Sequence, residues 1–263
     1  MDHEARDIMA QGNQECDPKV HDVPAGAYRV RRISKKKNHW VPDTNGNVAV
    51  QVNSINTKHL AISGHCSDIG DAANYTPKFI WHGHGVELHE TYTLFFNPSH
   101  GFFRNYWRSL CDSFGIGETL EAKKLATLLI EAAQRDRDIN VTVYGSGHAL
   151  FKEALRVVNR TAQVKLNRFT VFYAHPTHNL GLVDKWRART GMQLVNKLPL
   201  ITVADPRQFL LSGNLISATV LGFKVKSEDR WATLFDSILE PLKWFVLCSF
   251  CLRVFDWLAT VLG

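Results

Sequence analysis

The run from Ile139 to Leu155, INVTVYGSGHALFKEAL, constrains the fold of this chain more than any other stretch. Its first part is a run of β-branched and aromatic residues typical of a buried strand, and its last part repeats apolar residues at helical spacing. Gly-Ser-Gly stands between the two parts and permits a very tight backbone corner. The run therefore predicts a strand, a sharp turn and an amphipathic helix.

This arrangement has the shape of a nucleophile elbow, the turn that carries the reactive residue of α/β-hydrolases. Such a turn needs very small residues two positions before and two positions after the nucleophile, because larger side chains would collide with neighbouring elements. With Ser146 as the nucleophile, these positions would hold Tyr144 and His148, which are too large. With Gly147 at the tip they hold glycine and alanine, which fit. We therefore expect a tip without an attacking side chain.

The histidines point to the same conclusion. In the usual chain order of this fold the catalytic histidine follows the last strand, whereas all twelve histidines here lie at or before His178. We expect no enzyme activity and interpret four residues of the elbow as vestigial. These residues are Gly145, Ser146, Gly147 and His148.

A vestigial triad acid and a rearranged active site complete the catalytic analysis. Asp205 follows a predicted strand in the manner of a triad acid, although a turn role before Pro206 fits it equally well. The alternative function is a serine esterase or lipase with a rearranged site. It would use Ser146 and one histidine from His148, His175 or His178.

Length and cysteine usage bound the organisation of the chain. A length of 263 residues suits one large domain with a tail. We expect a mobile N-terminal arm over residues 1–25, an α/β domain over 26–227 and a membrane-associating helical segment over 228–263. The five scattered cysteines do not form a disulfide framework, and the N-terminus lacks the pattern of a secretory signal. Both observations favour a reducing, cytosolic compartment.

A basic run spans Arg29 to Lys37, with six cations in nine residues. Because these cations alternate with Tyr28, Val30 and Ile33, the run predicts an exposed edge strand with a solvated face. The alternative interpretation is a patch for anionic lipid. Nucleic acid is not an expected partner, because the cations and aromatic residues match no known binding motif.

Three short motifs carry a family resemblance. Asn47–Asn53, NVAVQVN, is predicted as the first core strand, and the VNSINT that ends it resembles the VNGINT-type motif of an uncharacterised group of chlamydial lipase-like proteins. LFFNPSHGFF resembles their VYNPTHGF, and VTVYGSGHA resembles their VIGHSQGA. The resemblance extends from about residue 47 to residue 221 and implies an α/β-hydrolase fold with a mostly parallel sheet flanked by helices. Matched in this way, Gly147 takes the place of the motif's serine.

The resemblance also implies where a ligand would bind. It places an oxyanion-hole loop after VNSINT, and ligands of this fold lie at the carboxyl ends of strands. The candidate ligand-binding residues are Asn53, Ser54, Asn97, His100, Ser146 and His175.

The residue patterns predict further secondary structure along the chain. The predicted strands are Glu90–Asn97, Arg168–Ala174, Leu200–Val203 and Ile216–Lys226, and the predicted helices are Phe102–Phe114 and Glu118–Arg137.

The stretch over residues 64–89 is rich in histidine and includes HGHG at residues 82–85. Two imidazoles from an extended segment, His82 and His84, could bind zinc together with Glu87 or His89. No HExxH or paired CxxC spacing supports such a site. We therefore expect loop histidines without a metal, and no cofactor.

The segment from Trp244 to Leu262, WFVLCSFCLRVFDWLATVL, is almost entirely apolar. As a membrane span, its ten Leu, Val and Phe residues at about −0.3 to −0.6 kcal/mol each roughly cancel one Arg and one Asp at about +2.5 to +3.5 kcal/mol each. A helix lying in the membrane interface, or one packed with partner helices, removes this difficulty, whereas a core helix docked on the sheet is the alternative. We favour membrane association. The residues expected in the membrane are Trp244, Phe245, Phe250, Phe255 and Trp257.

Together these patterns predict a catalytically inactive α/β-hydrolase-like protein with a C-terminal apolar helix. It would act as a membrane-associated binding or scaffold module with an unidentified protein partner. The resemblance suggests a bacterial membrane or a host-derived inclusion membrane.

Overall fold

A computed structural model describes residues 23–34, 39–46, 48–66, 68–88, 91–98, 119–161, 164–197 and 199–200. The described strands are β1 (Gly26–Ser34), β2 (His39–Pro42), β3 (Thr44–Asn45), β4 (Val48–Ala49), β5 (His59–Cys66), β6 (Thr91–Pro98), β7 (Ile139–Tyr144), β8 (Phe169–Ala174) and β9 (Gln193–Leu194). The described helices are α1 (Ile69–His84), α2 (Leu120–Gln134), α3 (Gly147–Thr161) and α4 (Leu180–Thr190).

Seven of these strands form one sheet in the order β2-β1-β6-β5-β7-β8-β9. The five strands β6, β5, β7, β8 and β9 run parallel to one another, and β1 pairs antiparallel with both β2 and β6. Parallel neighbours require long connections, and helices supply them: α1 between β5 and β6, α3 between β7 and β8, and α4 between β8 and β9. The chain therefore has an α/β fold with a mostly parallel sheet flanked by helices, as predicted.

The sheet is covered by helices on both faces, because its central strands are apolar on both sides. On one face, Leu125 of α2, Phe151 of α3 and Val183 of α4 belong to a buried cluster with strand residues such as Val141. On the other face, α1 packs against β1, β2, β5 and β6 through a second cluster. Ile80 of α1 is one of its fully buried members.

Helix ends carry the residues that the backbone needs there. Asp68, Thr119 and Asn179 cap the starts of α1, α2 and α4, each accepting a hydrogen bond from a backbone N–H of the first turn. Gly85 and Gly191 end α1 and α4 in the left-handed conformation, with φ of 66° and 81°.

The order of the strands creates a switch point in the sheet. From β5 the chain moves through α1 to β6 on one side, and it later places β7 on the opposite side of β5. Connections leave the carboxyl ends of β5 and β7 in opposite directions, the arrangement that forms a crevice in open α/β sheets. Ligands of open α/β sheets bind in such crevices.

Several predicted elements are confirmed. The strands predicted at Glu90–Asn97 and Arg168–Ala174 correspond to β6 and β8, and the helix predicted at Glu118–Arg137 corresponds to α2. The strand, turn and helix predicted between residues 139 and 155 correspond to β7 and α3. The helical periodicity of the apolar residues in α2 also predicts a buried Leu120, and this prediction is wrong, because Leu120 is 66% exposed.

The predicted first core strand, Asn47–Asn53, is wrong. Its Val48 and Ala49 form β4, which pairs only with β3 in a separate two-stranded sheet, and Val48 and Val50 are 69% and 42% exposed. The strand at the centre of the sheet is instead β5, which the sequence did not indicate.

The described part of the basic run, residues 29–34, belongs to β1, but this strand does not lie at the edge of the sheet. β1 lies between β2 and β6, with Tyr28 and Val30 fully buried. The side chains of Arg29 and Arg31 are exposed and extend toward Asp43, with Arg31 Nε 3.2 Å from its carboxylate.

Several predictions lie outside the described residues. They concern most of the N-terminal arm, His100, the helix at Phe102–Phe114, Asp205, the strand at Ile216–Lys226 and the C-terminal segment. Within the residues that the structure describes, no helix is both long and apolar enough to cross a membrane.

Candidate functional site

The turn between β7 and α3 lies at the carboxyl end of the sheet. β7 ends at Tyr144, and Gly145 takes the left-handed conformation with φ of 58°. The backbone N–H of Gly145 donates to the carbonyl oxygen of Ala174 at 3.2 Å, which joins the turn to the end of β8. The sequence placed the tip at Gly147, but Gly147 is already the first residue of α3. The residue that takes positive φ in this turn is Gly145, and glycine adopts that conformation without strain.

Close backbone packing explains the other glycines around this turn. A methyl group on Gly147 would lie 2.8 Å from the carbonyl oxygens of both Ile62 and Ser63, and one on Gly64 would lie 2.8 Å from the backbone nitrogen of Ser146. Real side chains do not reach such distances, so the start of α3 and the end of β5 can meet only through glycine. The turn therefore borders the crevice at the switch point.

Ser146 occupies the corner itself. It is half-buried, and its Oγ lies 3.1 Å from the position that a methyl group on Gly64 would take. Its side chain therefore lies against the end of β5.

His148 lies beneath the turn in the first turn of α3 and is fully buried. Its Nδ1 is 2.7 Å from the carbonyl oxygen of Gly145. Because a carbonyl oxygen can only accept, Nδ1 carries the proton and Nε2 is an acceptor. Nε2 is buried without a hydrogen-bond partner among the described residues. Burial, together with the nearby His178 and His175, lowers the pKa of His148 to about 3.

Two more histidines follow β8 at the same edge. His175 has an unusual φ of 46°, its backbone N–H donates to the carbonyl oxygen of Leu200 at 2.6 Å, and its ring meets that of Phe79 edge-on. Burial also lowers the pKa of His175. His178 is buried, with Nδ1 3.2 Å from Thr177 Oγ1. The structure therefore places the serine and all three histidines that the rearranged-site alternative names at the same edge of the sheet.

Asn97 is a further predicted residue at this edge. It lies near the carboxyl end of β6, is buried, and donates its backbone N–H to Ser63 Oγ at 3.1 Å. Sequence reasoning missed Ser63 and Gly64 of β5, and only the small size of these two residues could have indicated their place.

Asn53 and Ser54 do not belong to this group. They precede the amino end of β5, where Ser54 Oγ accepts from Asn56 and the carbonyl oxygen of Lys58 accepts from Asn140 at the start of β7. This is the opposite edge of the sheet from Ser146. The loop that follows β5 on the Ser146 side begins beyond Cys66, so VNSINT does not hold the position expected of an oxyanion-hole loop.

Comparison of the chain with protein-family models, curated proteins and solved structures finds no match.

The HGHG histidines lie on the last turns of α1 rather than in an extended segment. Gly83 between them packs against β8, where a methyl group would lie 2.3 Å from the ring of Phe172. Within the described residues, no group of three or more His, Cys, Asp or Glu side chains is placed to hold a metal ion.

Proposed function

We propose that this chain is a catalytically inactive α/β-hydrolase-like protein that binds an ester-like ligand in the crevice between β5 and β7. The observation that supports this proposal is the glycine at the left-handed position of the turn after β7. It leaves the left-handed position of the turn without an attacking group.

The position of the turn supports the hydrolase-like assignment. An α/β-hydrolase carries its nucleophile on a sharp strand-to-helix turn and takes an oxyanion-hole N–H from a loop after a neighbouring strand. Here the turn follows β7, and the neighbouring strand β5 ends beside it at Gly64. The two parts of such a site therefore have counterparts in this sheet.

The side chains around the turn argue against catalysis. The residue that takes positive φ is Gly145, and the adjacent Ser146 lies against Gly64. A general base works best when its pKa is near the operating pH. The pKa of His148 is about 3, and the pKa of His175 is also lowered by burial, so both are weak bases at neutral pH.

A fluorophosphonate probe and p-nitrophenyl butyrate test this proposal together. We expect no covalent labelling and no hydrolysis above the buffer rate, because no nucleophilic side chain occupies the left-handed position of the turn. We also expect the ester to shift the backbone amide NMR signals of Ser146 and Gly147, since both border the crevice. The measurement uses the full chain with a matched Ser146→Ala variant.

The variant separates the two candidate functions. Labelling or turnover that disappears in Ser146→Ala would establish the rearranged esterase and overturn the proposal that the chain is catalytically inactive. Amide signals that do not move at saturating ester would overturn the binding proposal, whatever the result with the probe.

We further propose that the chain associates with membranes through the apolar segment at residues 244–262. We expect the full chain to float with phosphatidylcholine vesicles, and a chain lacking residues 241–263 to remain at the bottom of the gradient. If the full chain also fails to float, membrane association is wrong and a docked helix accounts for the segment.

Anionic lipid is the proposed ligand of the basic run at Arg29–Lys37. Adding phosphatidylserine to the vesicles should then increase binding by about 1 kcal/mol for each cation that reaches the surface. Because Asp43 faces Arg29 and Arg31, we expect an increase smaller than six cations would give.

A further inference from the structure

Two arginines from neighbouring helices meet the ring of one tryptophan on the outer surface of the molecule. Trp186 lies on α4, and the guanidinium carbon of Arg189, three residues further along this helix, is 4.7 Å from the centre of its ring. The guanidinium carbon of Arg156 on α3 is 5.9 Å from the same centre. Both distances are within the range of cation–π contacts. Trp186 therefore holds two positive charges close together where α3 and α4 meet.

The acidic residues of these two helices do not balance those charges. α3 and α4 carry one acidic residue each, Glu153 and Asp184, and both are buried. Asp184 is paired with Arg187, whose Nε lies 2.5 Å from its carboxylate. Within the described residues, neither Arg156 nor Arg189 forms an ion pair. Apart from Arg187, the charged side chains of the two helices that reach solvent are Arg156, Arg160, Lys185 and Arg189. This all-cationic surface attracts anions.

An exposed leucine beside these cations indicates which kind of anion fits. Leu182 is 47% exposed and lies four residues before Trp186 and seven before Arg189, which puts the three side chains on one face of α4. Apolar and aromatic residues next to cations are typical of a surface that lies in the interface of a membrane. A soluble phosphate or a nucleic acid would pair with the cations but leave Leu182 in water. A bilayer offers headgroups to the cations and acyl chains to the leucine.

We propose that this surface, formed by Arg156, Arg160, Leu182, Lys185, Trp186 and Arg189 and called the α3–α4 surface, binds the headgroups of an anionic lipid bilayer. A guanidinium can bind a phosphate group through two parallel hydrogen bonds. Contact with Trp186 restricts Arg156 and Arg189 before lipid binds, which reduces the entropy that binding costs. The proposal concerns other residues than the apolar segment at 244–262 and does not depend on it.

Flotation of the full chain with phosphatidylcholine vesicles, with and without phosphatidylserine, tests the α3–α4 surface. The measured quantity is the ratio of the two partition coefficients. The double variant Arg156→Gln with Arg189→Gln should lower this ratio about 30-fold, because each cation near an anionic membrane strengthens binding about fivefold. A full chain that binds only the vesicles with phosphatidylserine would contradict the proposal for residues 244–262 and still allow this comparison.

Two further double variants are the controls. Arg156→Lys with Arg189→Lys keeps both charges in place and should retain most of the phosphatidylserine effect. Lys58→Gln with Lys78→Gln removes the same net charge from exposed positions elsewhere, one before β5 and one on α1 across the sheet, and should stay close to the wild type. An equal loss in the two glutamine variants would show that only net charge matters, and it would overturn the proposal.

An unchanged ratio in Arg156→Gln with Arg189→Gln would also overturn the proposal. If that variant instead loses binding to a single-stranded RNA oligonucleotide while its lipid effect persists, the α3–α4 surface is a nucleic-acid site. If it does not fold without its contacts to Trp186, exposed Lys185→Gln gives the same test, with an expected loss of about fivefold.

Discussion

Replacing Gly147 with alanine should lower the free energy of unfolding by about 3 kcal/mol, the upper end of the usual cost of overpacking. The added methyl group would lie 2.8 Å from two backbone carbonyl oxygens, those of Ile62 and Ser63. These oxygens belong to β5, the central strand, and cannot rotate away as the end of a side chain could. Urea unfolding of Gly147→Ala and the wild type measures the difference.

Gly70→Ala is the matched control, since Gly70 also lies in the first turn of a helix, α1. Its added methyl group would meet only the side-chain oxygen of Asp68, at 2.9 Å. We expect a cost of less than about 1 kcal/mol, the value of one N-cap hydrogen bond. If Gly147→Ala is as stable as Gly70→Ala, the close packing of α3 on β5 is not present in solution.

Elements with an uninterrupted pattern could be predicted from the sequence. In α2 the buried Leu125, Leu129 and Ala132 recur at helical spacing. In β7 the β-branched and aromatic residues from Val141 to Tyr144 are typical of a buried strand. In these elements the spacing of the apolar residues is enough to predict which face is buried.

β5 could not be predicted, because the residues that make it central also interrupt its pattern. Ser63 satisfies its hydroxyl by bonding to the carbonyl oxygen of Phe95 and the backbone N–H of Asn97, and Gly64 is small because Ser146 approaches it. Both reasons depend on distant parts of the chain. Conversely, NVAVQVN alternates as a strand does, but the valines that alternate, Val48 and Val50, face solvent.

The candidate site followed the same rule. Ser146, His148 and His175 could be named from the sequence because they lie directly after predicted strands. The family motif wrongly places Asn53 and Ser54 at the same site, because the strand next to the turn is β5, which begins only after this motif, at His59. Which edge of the sheet a loop occupies depends on strand direction and order, and neither appears in local sequence.

Lowering the pH from 7 to 4.5 should destabilise this chain by several kcal/mol. Burial lowers the pKa of His59 and His84 to about 4 and the pKa of His148 to about 3, all below the ordinary value of 6.5. Between these values the unfolded chain binds protons that the folded chain does not. Stability is therefore fully present above about pH 6.5 and falls by about 1.4 kcal/mol per pH unit for each such histidine as the pH decreases.

Fully buried His148 should contribute most to this loss, because half-buried His84 can be reached by solvent. Urea unfolding at pH 7, 5.5 and 4.5 measures the slope for the wild type, for His148→Phe and for Ser146→Ala. His148→Phe should be less stable at pH 7, since its bond to Gly145 is lost, yet it should take up one proton fewer on unfolding and so lose less stability in acid. Ser146→Ala keeps the buried imidazole and should retain the wild-type slope. An unchanged slope in His148→Phe would mean that the folded chain leaves the pKa of this imidazole at its ordinary value, and the weak base that argues against catalysis at this turn would then be a competent one.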